Sequence, residues 1–298
     1  MTQNEELCGQ FINWLSIGHS RETVQSYRCG LRQFIQWMNK SVLIAQDQDF
    51  INYCVHLKNE RHLKNGALSC RMAALRTFWR FLYDRRLTQT DWRSIPSPKV
   101  NDRVHYPAAK NEDIKMIIDS LDSFFPDQLR DKTIISLLRD TGIRIGEALS
   151  VNIDDINLIE KKAMIKTLKR QDHYREVYWG DETNGLLQSW INIREKILKK
   201  ATKNTEALFV SISNNSYGER AKKHAIQKLF CDKRRDLRIT SRISAHSIRQ
   251  GFGKRGIERN VNPRYVQILL GHAKLNTTMS YLGAPNKDVE NIYRAKML

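Results

Sequence analysis

Between Arg93 and Lys110 the helical periodicity that runs through the rest of the chain stops, and Pro96, Pro98 and Pro107 sit among polar residues. Proline has no amide hydrogen, fixes its own φ and pushes the preceding residue towards extended conformations, so the stretch reads as an extended connection and not as part of a helix. A chain of 298 residues is long enough for two hydrophobic cores. The break therefore predicts a domain over residues 1–95, a linker over 96–110 and a second domain over 111–298.

Upstream of the break, apolar residues recur at alternating spacings of three and four. Val24, Tyr27, Leu31, Phe34 and Met38 form one stripe, and Leu68, Met72, Leu75, Trp79 and Leu82 another. With shorter helices near Glu5 to Leu15 and Asp47 to Asn59, and with Ser20 and Asn65 as N-caps, they predict a small four-helix bundle. Downstream, helices are expected at Asn111 to Leu121, Asp127 to Asp140, Asp181 to Lys200, Tyr217 to Asp236, Ser244 to Glu258 and Pro263 to Leu270. Ile153 to Leu158, Ala163 to Thr167 and Arg175 to Trp179 alternate or are β-rich, which predicts a small antiparallel sheet. The fold class is thus mainly α, in two domains, with one small sheet in the second.

Lysine and arginine number 50 against 32 carboxylates, a formal net charge of +18 with pI near 9.8. The excess is not a tail: residues 1–97 carry 13 basic and 8 acidic side chains, and residues 98–298 carry 37 and 24. Basic charge spread through foldable sequence on both sides of the linker suits a two-part clamp on a polyanion, so nucleic acid is the preferred partner over an inert basic surface. Arg28, Arg32, Arg76 and Arg80 flank the two apolar stripes, where they are candidates for phosphate contact; solvated helix flanks are the ordinary alternative.

Cys8, Cys29, Cys54, Cys70 and Cys231 are odd in number and scattered, without a C-x-x-C pair, so neither a disulfide framework nor a zinc knuckle is expected. No apolar run approaches the roughly 20 residues of a membrane helix, and Met1 to Glu6 does not read as a signal sequence. A reducing, cytoplasmic setting is the expectation.

The chemistry-bearing residues lie near the C-terminus. His246-Ser247-Ile248-Arg249 is followed by Leu270-Gly271-His272 and, nine residues on, by Tyr281. These are the side-chain types needed to cut a phosphodiester without a metal: a guanidinium to grip the non-bridging oxygens, imidazoles to move protons and a phenol to attack. Thr141-Gly142-Ile143-Arg144-Ile145-Gly146-Glu147 adds a tight turn that presents Arg144 at the start of a helix. Taken alone, Arg144 would be read as the partner of Glu147 or of another nearby carboxylate. A single histidine on a helix or a lone tyrosine is likewise more often structural than catalytic, so order and spacing carry the reading.

Those segments resemble the tyrosine recombinases, the family of phage integrases and Xer-type enzymes. The likeness covers nearly the entire chain: an arginine within Thr-Gly-Ile-Arg-Ile-Gly-Glu, a His-x-x-Arg, a Leu-Gly-His, and an ending in Thr277, Thr278 and Tyr281. Around Thr23, Tyr27 and Phe34 the N-terminal part resembles the family's SAM-like core-binding bundle, which would make the second domain an α-rich catalytic domain. By resemblance Arg144, Lys169, His246, Arg249, His272 and Tyr281 are the catalytic set. The hairpin lysine matches less well, since counting from Thr167 selects Lys169 while counting back from Arg175 lands on Arg170. Lys169 is favoured because a lysine can release a proton that an arginine holds too tightly. Gln250 stands where many relatives carry a histidine.

The resemblance implies a 3′-phosphotyrosyl intermediate formed by Tyr281, with His246 taking its proton and Lys169 protonating the leaving 5′ oxygen. Arg144, Arg249 and His272 would stabilise the charged phosphoryl group. No cofactor, ATP or metal is implied. The partner would be double-stranded DNA bearing a recombination site, with a homo-tetramer assembled on two such sites. The C-terminal stripe of Val289, Ile292 and Tyr293 could pack in cis or be donated to the next protomer. Tyr265 and Tyr293 are rival nucleophiles outside the family position and read as packing residues. Competing readings are a metal-dependent nuclease with Asp154, Asp155, His246 and His272 as ligands, a non-catalytic DNA-binding regulator, and, nearer in chemistry, a type IB topoisomerase.

Overall fold

The computed structural model describes residues 2–99, 107–167, 174–202 and 205–271. The chain divides into two compact units, Met1–His105 and Tyr106–Leu298.

The first unit is built on α1 (Gln3–Gly18), α2 (Arg21–Met38), α3 (Asp47–Asn59) and α4 (Asn65–Asp84), with a single 3-10 turn at Val42–Ile44. Both stripes face inward as expected. Leu31 and Phe34 of α2 are buried, Val24, Tyr27 and Met38 pack at the margin, and all five stripe residues of α4 are buried. Phe34 is the hub: its ring stacks on Phe50 and meets Tyr53 and Trp79 edge-on. Each such fully buried aromatic side chain contributes on the order of 2–3 kcal/mol by leaving water. Ser20 caps α2 through the Thr23 amide at 3.3 Å. Asn65 does not cap α4. Lys64 occupies that position in extended conformation, because the Leu68 amide donates to the Lys64 carbonyl and so draws the helix start one residue forward.

The second unit centres on α6 (Pro126–Thr141), a helix buried on nearly every side: Thr133, Ile134, Ile135, Ser136 and Leu138 are all fully covered. A helix with so little polar face belongs in the middle of a core. Against it pack α5 (Asn111–Asp119), the short α7 (Ile145–Ser150), α8 (Asp181–Leu198) and α10 (Ala245–Glu258). The remaining α-helices among the described residues are α9 (Lys223–Asp236) and α11 (Pro263–Leu270). One antiparallel sheet in the order β1-β2-β3 is formed by Ile156–Asn157, Lys162–Lys166 and Tyr174–Tyr178. Its register sets Ala163 opposite Val177 and Ile165 opposite Arg175.

Most element ends fall within a few residues of the sequence expectation, and two elements depart from it further. Most of Ile153 to Leu158 is not strand: Ile153–Asp155 is a 3-10 turn, closed by the Asp155 carboxylate accepting from the Asn152 amide at 2.7 Å. The helix expected from Tyr217 begins only at Lys223, since Gly218 takes φ +78° and Arg220 bridges to Val210 in extended form. No described helix is long and apolar enough to cross a membrane.

Candidate active site

Helix α6 stops at Gly142, whose left-handed backbone (φ +63°) turns the chain sharply and lets its amide bond the Leu138 carbonyl. Ile143 is fully buried and pins the turn. Arg144 then falls at the N-cap of α7, half-buried, with its Nη1 donating to Glu147 Oε1 at 2.7 Å and its backbone amide donating to Oε2 at 2.9 Å. The modest reading of Arg144 as a partner of Glu147 is therefore met, and the pair is more than a surface contact because the Glu147 side chain is fully buried.

Arg249 lies on α10 and is 3% exposed. Its Nη1 donates to the Gly142 carbonyl at 2.9 Å and its Nη2 to the Leu270 carbonyl at 2.5 Å. One guanidinium thus ties the turn that precedes Arg144 to the turn at Leu270-Gly271, where Gly271 is again left-handed at φ +63°. Both carbonyls lie at helix C-termini, which leave acceptors without intrahelical donors and carry partial negative charge.

His246 sits one turn before Arg249, in the first turn of α10, which Ser244 caps through the Ser247 amide at 3.2 Å. Spacing of three residues places the imidazole and Arg249 on the same helix face. The imidazole pKa is pushed below its ordinary 6.5, first by partial burial and then by the positive charges of Arg249 and Arg144. His246 remains open to solvent, so the two cations are the more persuasive cause. A neutral imidazole at neutral pH can accept a proton.

A further arginine enters from the sheet. Arg175, on β3, is 9% exposed and donates from Nη2 to Glu147 Oε2 at 2.7 Å, so Glu147 bridges two guanidinium groups. Burial alone would raise the Glu147 carboxyl, but the hydrogen bond and charge of Arg175, then those of Arg144, outweigh it and hold the group below the ordinary range. Arg175 escaped the sequence reading as anything but a landmark for counting. Its signal was there: strand alternation places residue 175 on the same inward face as Val177.

Lys169 and Arg170 belong to the segment between β2 and β3, and His272 and Tyr281 follow Gly271; all four lie outside the described residues. In the first unit Arg28 and Arg32 are exposed on α2. Arg76 and Arg80 instead lie over the Trp92 ring, at 5.8 and 5.5 Å, and Arg80 also approaches Asp84 at 3.7 Å. Tyr265 is exposed on α11. Among the described residues no group of three His, Cys, Asp or Glu side chains converges as metal ligands would, and Asp155 is engaged in its own turn.

Residues 109–287 match the phage integrase family, and residues 9–86 match the phage integrase N-terminal SAM-like domain. The chain belongs to the phage integrase family. Tyrosine recombinase XerD of Halalkalibacterium halodurans is 25% identical to this integrase-family chain over 293 residues, covering 95% of each. Tyrosine recombinase XerC of Leptospira interrogans is 24% identical over 296 residues, covering 97% of this chain and 92% of that one. Among solved structures, XerH site-specific recombinase bound to difH substrate before cleavage superposes with a TM-score of 0.70 at 18% identity, over 98% of this chain and 84% of that chain. That last likeness concerns the fold; the family assignment of the integrase-family chain rests on the matched domains.

Proposed function

We propose that this integrase-family chain is a site-specific tyrosine recombinase, cutting and rejoining duplex DNA through a 3′-phosphotyrosyl intermediate. The observation that carries the reading is Arg249, which joins Gly142, two residues before Arg144, to Leu270, the residue before Gly271-His272. The charges of Arg144 and Arg249 both act on His246, which supports a cationic centre of the kind that charge growing on a phosphoryl group requires.

In this reading the Tyr281 oxygen attacks phosphorus and its proton passes to His246, whose neutral state is favoured by the neighbouring guanidinium groups. The bond to the 5′ oxygen breaks, and Lys169 supplies the proton that oxygen needs to leave as a hydroxyl. Arg144, Arg249 and His272 bind the non-bridging oxygens. Attack by the 5′ hydroxyl of another strand reverses each transfer and frees the tyrosine, so no net oxidation or hydrolysis drives the exchange. Residues 1–95 would act as the core-binding domain, with Arg28 and Arg32 facing DNA and Arg76 and Arg80, which lie over Trp92, contributing less, residues 96–110 as the linker and 111–298 as the catalytic domain. Assembly of four chains on two sites, in the cytoplasm, completes the proposal.

Tyr281→Phe tests it. On a nicked duplex that lets the short cleaved strand diffuse away, the native chain should accumulate protein joined to a DNA 3′ end, with EDTA present throughout, while the variant binds with unchanged affinity and forms no adduct. Cleavage that EDTA abolishes would point to the metal-dependent nuclease. Adduct formation by the variant at the native yield would remove Tyr281 from its role.

A further inference from the structure

Arg175 is a buried cation on the inward face of a strand, a placement that is costly unless its charge and its donors are all matched. Each of its three nitrogens donates to a separate segment, one of which carries the neutralising carboxylate. Nη2 donates to Glu147 Oε2 at 2.7 Å, Nε to the Leu269 carbonyl at the end of α11 at 3.0 Å, and Nη1 to Thr167 Oγ1 just beyond β2 at 3.2 Å. The close approach is built into the backbone as well: a Cβ at Gly271 would lie 2.8 Å from Arg175 Nη1, so only glycine fits there.

The charge arithmetic gives this cluster its meaning. Glu147 Oε1 accepts from the Arg144 guanidinium, while Oε2 accepts from the Arg175 guanidinium and from the Arg144 backbone amide. One carboxylate between two cations leaves positive charge over. It is left at Arg144, whose side chain is 30% exposed, whereas that of Arg175 is 8% exposed. Without Arg175, the Glu147 carboxylate would face the Arg144 guanidinium alone, a neutral ion pair that would compete directly with a phosphate for that cation.

Resting on the recombinase reading, we propose that Arg175 is a positioning residue for strand cleavage: it occupies one oxygen of Glu147 so that Arg144 keeps its charge for the scissile phosphate, and it fixes the ends of α11 and β2 around that pair. It touches no reacting atom in this scheme and acts through Arg144.

The experiment compares single-turnover cleavage, at saturating protein, for the native chain, Arg175→Met, Arg175→Lys and the double variant Arg175→Met/Glu147→Gln. The probe is a nicked suicide duplex built on a sequence recovered from a random library by binding to the native chain. Arg175→Met should cleave roughly 100-fold more slowly, since small displacements of a catalytic group cost about that much, with DNA affinity within about twofold of native. Neutralising the freed carboxylate should then restore roughly tenfold of the loss in the double variant. Arg175→Lys, which keeps a charge beside Glu147, should cleave faster than Arg175→Met.

A merely structural arginine would not behave this way, because a second buried substitution would deepen the defect. Native cleavage by Arg175→Met overturns the inference, and so does a double variant no faster than the single one. Should Arg175→Met fail to fold, the lysine variant decides: cleavage 100-fold down in a chain with native melting overturns the proposal, and cleavage within about tenfold of native supports it. If the native chain itself forms no 3′ adduct on the selected duplex, the recombinase reading has failed instead.

Discussion

His246 has two guanidinium groups as near neighbours and stands at a helix N-terminus, whose partial positive charge adds to theirs. Each favours the neutral imidazole. A nuclear magnetic resonance titration of the free protein should therefore place the His246 midpoint below 6.5, and Arg144→Gln should raise it; a native midpoint at or above 6.5 would contradict the geometry. The sign for stability follows from the same shift. On acidification the unfolded chain takes up this proton first, near the ordinary value, so the contribution of His246 to stability is full above about 6.5 and declines as pH falls towards the folded midpoint. At this scale Arg144, His246 and Arg249 could be named from the sequence as candidates because their side-chain types and order have few uses together. Arg175 was not, because an arginine in a strand reads as a solvated flank until the partners that match its buried charge are known. Those partners, Glu147, Thr167 and Leu269, lie 28, 8 and 94 residues away.

Two left-handed glycines set the elements around the site. A Cβ at Gly142 would lie 2.6 Å from the Phe252 ring and 2.9 Å from Leu270, and φ there is +63°. Gly142→Ala should thus destabilise the second unit by about 3 kcal/mol, of which about 1 comes from the left-handed backbone and the rest from overpacking. Amide hydrogen exchange in α6 and α10 should report it as faster opening; unchanged protection would mean that the turn relaxes freely. Turn and helix were readable at this glycine because the apolar run of α6 ends there and Arg144 follows. The start of α9 was less readable: apart from Gly218, Tyr217 to Lys222 contains residues a helix tolerates, and what excludes them is the left-handed backbone at Gly218 together with a tertiary pairing of Arg220 with Val210. The 3-10 turn at Ile153–Asp155 escaped for a similar reason, since β-branched isoleucines favour a strand and only the reach of the Asp155 carboxylate to Asn152 decides otherwise.

Across the whole molecule, the dominant quantity is a net charge of +18 distributed over both units. Such a surface attracts DNA by releasing condensed counterions, so affinity should fall by about 0.9 log units per log unit of salt for each phosphate neutralised. The candidate arginines of the first unit are not equivalent in this respect. Arg28 and Arg32 are exposed on one face of α2, a helical turn apart, and no ion-pair partner is recorded for either among the described residues. Arg80 is committed to Asp84 and to the Trp92 ring, and Arg76 is half-buried against the same ring. A cation already paired or stacked at home has less to gain from a phosphate. Replacing Arg28 and Arg32 together by alanine should therefore reduce the salt slope by nearly two, while Arg76→Ala with Arg80→Ala should change it by less than one and lower the stability of the first unit instead. Filter binding of the full-length protein between 50 and 200 mM salt, alongside thermal melting, separates these outcomes. Equal slopes for both pairs would show that the structural distinction between free and stacked arginines does not govern how this surface meets DNA.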